Sequence, residues 1–66
     1  MKIFKNDDAV KFVKTSDPRL DNQTGIVLGK YGMEDFGFHI VMFDKQPEGY
    51  DKAIVITDAC LEFVGE

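Results

Sequence analysis

Tryptophan is absent from this 66-residue chain, cysteine and histidine occur once each, and proline twice. Each shortage removes a class of explanation. A single thiol, Cys60, closes no internal disulfide, so a stapled secreted scaffold is excluded and a reducing cytoplasm is the expected location. The leading residues agree, because Met1-Lys2-Ile3-Phe4 runs into Lys5, Asn6, Asp7 and Asp8 where a leader would have an apolar core. The lone His39 has no second His or Cys near it in sequence, so the ligand spacing of a transition-metal site is missing. No apolar run approaches the roughly 20 residues that span a bilayer, so no membrane insertion is expected.

Catalytic patterns are equally scarce. The acidic pairs Asp7-Asp8 and Glu34-Asp35 lack the alternating oxygen ligands of a calcium loop. Three glycines between Gly29 and Gly37 occur without the Gly-Lys-Ser/Thr that a phosphate loop requires. Cys60 sits between Asp58 and Glu62, and neighbouring carboxylates oppose the thiolate that a nucleophile needs. The chain reads as a non-enzyme with no cofactor and no metal.

What remains is ordinary globular material. Hydrophobic residues make up 44% and charged residues 30%, close to the average for a folded domain. Residues 1–66 are expected to form one domain, with 1–7 as an N-terminal segment or short strand. The net charge of −4 is unevenly spread. Residues 1–33 carry six basic against four acidic side chains, net +2, whereas residues 34–66 carry two against eight, net −6. A polyanion would be repelled by most of such a surface, leaving only the basic strip Lys11, Lys14, Arg19 and Lys30 as a nucleic-acid contact.

Short apolar blocks recur at intervals of about ten residues between turn signals, the rhythm of an all-β sandwich or barrel. Ala9-Val10-Lys11-Phe12-Val13-Lys14 alternates with the period of a half-buried strand. Asp17-Pro18 and Asp21-Asn22 reverse the chain, and Gly25, expected at positive φ, leads into the strand Ile26-Val27-Leu28. Phe38-His39-Ile40-Val41-Met42-Phe43 is the strongest strand, and it is apolar on both faces. After the connector Asp44–Lys52 come the strand Ala53–Thr57, one helical turn over Asp58–Cys60 capped by Thr57 or Asp58, and the closing strand Leu61–Val64. Val10, Phe12, Val27, Val41, Phe43, Ile54, Ile56 and Leu61 are the core candidates.

This order, five antiparallel strands with a long first loop and a helical turn before the last strand, resembles an SH3-like barrel. The stretch from Asp8 to Tyr31, with Val10 and Phe12 ahead of the loop and Gly25 followed by Val27, resembles the KOW-type glycine motif of small barrels in ribosomal and transcription proteins. The stretch Ile40-Val41-Met42-Phe43-Asp44-Lys45, with Gly49-Tyr50 and then Leu61-Glu62-Phe63-Val64, is similar to the SH3-like accessory barrels of photosystem I. The first resemblance implies nucleic-acid binding through Lys11, Lys14, Arg19 and Lys30. The second implies docking on a larger protein complex. Since a barrel needs one face of each strand for its core, the spare face of Phe38–Phe43 and the aromatics of the loops are the expected contacts. Tyr31, Phe36, Phe38, Ile40 and Tyr50 are the partner-binding candidates, for a larger protein or a second copy of the chain. A third reading takes the acidic second half as a nucleic-acid mimic that inhibits a basic protein.

Overall fold

The computed structural model describes residues 3–32 and 37–64. Within them the chain forms strands β1 (Ala9–Phe12), β2 (Thr24–Lys30), β3 (Phe38–Phe43), β4 (Ala53–Thr57) and β5 (Leu61–Phe63), with a 3-10 turn over Asp58–Cys60. All pairings are antiparallel, in the order β4-β3-β2-β1-β5. No ladder joins β4 to β5 among the described residues, so the sheet is open at both of these strands.

Alternation decides which side chains point inward. On β1, Val10 and Phe12 are fully buried while Ala9 and Lys11 face the other way. β2 is longer than its apolar centre implies, because Thr24 and Gly25 at one end and Gly29 and Lys30 at the other also pair with β3 or β1. Between Val27, opposite Val41, and Gly29, opposite Ile40, the register slips, so Leu28 has no partner on β3. Leu28 follows inward Val27 and so points outward by alternation, and the bulge leaves it exposed and without a partner.

The core consists of Phe4, Val10, Phe12, Leu20, Val27, Val41, Phe43 and Leu61, with Tyr50, Ile54, Ile56 and Phe63 packed against it. Six of the eight expected core residues are fully covered. Ile54 and Ile56 point inward but are only half-buried, because β4 is a sheet edge and lacks a neighbour on one side. Phe4 and Leu20 take their place in the core although neither lies on a strand. Phe4 stacks on Phe63 at 4.5 Å and meets His39 edge-on at 5.5 Å, so the N-terminal segment caps the inner side of the sheet. Leu20 is held inward by the first loop, whose turn is closed by Leu20 N–H to Asp17 C=O at 2.9 Å and Gln23 N–H to Leu20 C=O at 3.0 Å.

Gly25 does not take the positive φ expected of it; in the first loop that conformation belongs to Lys14, at 53°, and Asn22, at 72°. The reason for glycine is close approach. A Cβ there would lie 2.4 Å from the carbonyl oxygen of Met42 and 3.0 Å from Cγ1 of Val41. The 3-10 turn falls where expected, after Thr57, but no side chain caps it; Leu61 N–H bonds back to Asp58 C=O and the chain enters β5.

Candidate functional site

The two apolar faces of β3 have different fates. His39, Val41 and Phe43 are buried, whereas Phe38, Ile40 and Met42 point away from the core. Phe38 is 44% and Met42 40% exposed, although β3 is an interior strand with a neighbour on each side. Register extends this face across three strands. Ile26 on β2 and Ala53 on β4 flank Met42, and Val55, itself 45% exposed, stands opposite Ile40. On the other side of Ile40 is Gly29, which has no side chain to cover it. Tyr31 donates its N–H to the carbonyl of Phe38 at 3.1 Å, continuing the ladder by one residue and setting the exposed tyrosine beside Phe38. Ile26, Tyr31, Phe38, Ile40, Met42 and Val55 thus form one apolar field. One end of it has a polar border, where Thr24 donates to Asp44 at 2.7 Å.

Of the five partner-binding candidates, the structure therefore brings together Tyr31, Phe38 and Ile40. Phe36 lies outside the described residues. Tyr50 is placed elsewhere: its ring rests on Phe43 at 6.1 Å, on the inner side of the sheet. Its hydroxyl donates to Oδ2 of Asp17, and the Arg19 guanidinium lies 5.3 Å above its ring. Arg19 in turn binds the same carboxylate through Nη2 at 2.9 Å and through Nε, and its backbone N–H reaches Oδ1 at 2.9 Å. The first loop is thereby tied to the third.

The electrostatics of this cluster follow from its geometry. Hydrogen bonds from the Arg19 side chain, then from Tyr50 and the Arg19 N–H, hold the Asp17 carboxyl well below the ordinary carboxylate range. The same carboxylate raises the Tyr50 phenol and the Arg19 guanidinium, chiefly by accepting their hydrogen bonds. Thr15 adds a second tie within the loop: its N–H donates to Asp21 Oδ1 at 2.9 Å, and its hydroxyl, with a single proton, lies within hydrogen-bond reach of Asp21 Oδ1 at 2.6 Å and the Asp17 carbonyl at 2.8 Å.

The four candidate nucleic-acid contacts are scattered. Arg19 is committed to Asp17. Lys11 stands across from Glu62 on β5, and Lys14 follows in the left-handed region at φ 53°. Lys30 is six positions along β2 from Thr24, the partner of Lys11, which places the two lysines about 20 Å apart along the sheet.

Cys60 is half-buried, with Sγ 3.8 Å from the Lys14 carbonyl. His39 is 4% exposed and its Nδ1 has no hydrogen-bond partner among the described residues, an orphan polar atom in an otherwise apolar core. Among the described residues, no group of three His, Cys, Asp or Glu side chains converges as a metal site would. None of their helices is long and apolar enough to cross a membrane. No protein family, curated protein or solved structure matches the chain.

The contribution of Val55 and Ile26 to the exposed field escapes sequence reasoning. Ala53-Ile54-Val55-Ile56-Thr57 is apolar in both phases, as β3 is, so its outward residues carry no distinguishing mark.

Proposed function

We propose that this chain is a non-enzymatic protein-binding module of the SH3-like kind, which docks on a larger protein assembly through the outer face of β2, β3 and β4. The observation that carries the reading is the outward row of β3, with Phe38 and Met42 exposed and Ile40 half-buried between them, widened by exposed Tyr31 and Val55 and half-buried Ile26. A contiguous apolar field of this kind with polar residues at its border is the usual mark of an interaction surface. A partner seated there would cover aromatic side chains that already stand on a rigid sheet, so little ordering entropy opposes binding.

The test is affinity capture with the folded chain and with Phe38→Glu. The side chain of Phe38 faces away from the core, so the variant should melt within about 0.5 kcal/mol of the wild type while losing the captured partner. Binding by burial of apolar area should also persist as salt is raised. Capture that Phe38→Glu retains, but that moderate salt or Lys11→Glu with Lys14→Glu abolishes, would transfer the function to the basic side chains and to a polyanionic ligand.

A further inference from the structure

The edge of β4 is a second surface, distinct from the outer face. The pairs Phe43–Lys52 and Gly37–Asp58 are joined by backbone hydrogen bonds of 2.9 and 2.7 Å, Phe43 N–H to Lys52 C=O and Asp58 N–H to Gly37 C=O. In an antiparallel ladder such pairs alternate, so Ala53, Val55 and Thr57 turn their N–H and C=O groups away from β3. Among the described residues no strand pairs with that side, and the one group on it already engaged is the Thr57 C=O, which as the N-cap carbonyl of the 3-10 turn accepts from Cys60 N–H and keeps a second lone pair free. Natural edge strands are guarded by a lysine, a proline or a bulge, and Ala53–Thr57 has none of these.

From this edge we infer that the chain forms a two-fold dimer in which β4 pairs antiparallel with β4 of a second copy, centred on Val55. Three features of the sequence fit that axis. Val55 would meet its own counterpart, and Ala53 would meet Thr57, through outward-facing backbone groups. Ile54 would face Ile56 of the other copy, in the closer, non-hydrogen-bonded pairs. These are the two inward isoleucines that the single sheet leaves half-buried. One step beyond each strand end, Lys52 would come opposite Asp58, a charge match made twice by the symmetry. Neither has a charged partner among the described residues.

The inference goes beyond the docking role, since it uses the strand edge and its inner flank. Sedimentation equilibrium over a concentration series, with amide exchange read at each concentration, tests it. The mass is expected to rise from 7.5 kDa towards twice that value, with the amides of Ala53, Val55 and Thr57 becoming protected as it does. Lys52→Glu should weaken association about tenfold by setting like charges together, and Lys52→Glu with Asp58→Lys should restore it. Val55→Pro removes a donor that β3 does not use and should leave a monomer. Phe38→Glu should not alter association, so the dimer and the docking face fail separately. A chain that stays monomeric throughout, a dimer indifferent to both Val55→Pro and the charge exchange, or one broken by Phe38→Glu would overturn the inference.

Discussion

Replacing Gly25 by alanine adds one methyl group where the backbone of β3 leaves no room for it. Its Cβ would sit 2.4 Å from the Met42 carbonyl oxygen, where ordinary contact begins at 3.4 Å, and 3.0 Å from Val41 Cγ1. Relief requires moving β2 and β3 apart by about an ångström, because the obstacle is backbone and not the tip of a flexible side chain. Overpacking typically costs 1–3 kcal/mol, and a backbone obstacle puts this case near about 3 kcal/mol. A 66-residue domain has roughly 3–10 kcal/mol in all, and each kcal/mol moves the melting temperature of so small a domain by roughly 4–8 °C. Thermal melts followed by circular dichroism should therefore show Gly25→Ala melting at least about 12 °C below the wild type. Gly29→Ala is the internal control: its Cβ would meet only Asn6 Oδ1, at 3.7 Å. That variant should melt within about 3 °C of the wild type, with a slight gain from a less flexible unfolded chain. A Gly25→Ala protein that melts like Gly29→Ala would refute the close-approach account.

Other consequences are as specific. Asp17 has a depressed pKa in the folded chain, so its contribution is complete above the ordinary carboxylate value near 3.9 and is lost as pH falls below it. Acid unfolding followed by circular dichroism should show this loss, and Asp17→Asn should lower stability at neutral pH and flatten that acid limb. Tyr50 has a raised pKa, so its contribution is present below the ordinary phenol value near 10 and is lost as pH rises through the folded value. Tyr50→Phe should lower the neutral-pH melting temperature and remove that alkaline decline. Leu20→Ala should cost about 2–4 kcal/mol in a denaturant titration, as for a strand residue, because its side chain is 6% exposed despite its place in a loop. His39→Leu should leave stability unchanged or raise it by up to about 1 kcal/mol, since it removes the unpartnered Nδ1 at the expense of the edge contact with Phe4.

Strand positions were legible because alternation and turn chemistry are local. β3 and β4 fall on Phe38–Phe43 and Ala53–Thr57, and the 3-10 turn on Asp58–Cys60, where side-chain pattern alone placed them. β1 ends at Phe12, two residues early, because Lys14 adopts a left-handed conformation that a run of apolar and basic residues does not announce. The candidate site was legible in part. Phe38, Ile40 and Tyr31 share the exposed face, whereas Tyr50 was drawn inward by Phe43 and claimed by Asp17 from 33 residues away. A hydrogen bond over that separation leaves no trace in local composition.

The sequence by itself determined that this chain builds five short antiparallel strands and that β3 carries apolar residues on both of its faces. Only the tertiary structure decided which of those faces is the core. A period of two has no sign when both phases are apolar. The choice fell to side chains brought from elsewhere: Phe4, itself packed on Phe63, against His39, Val27 opposite Val41, and Phe12 and Tyr50 against Phe43. Burying His39, Val41 and Phe43 against that group left Phe38, Ile40 and Met42 outside, and so created the exposed face on which the proposed function rests.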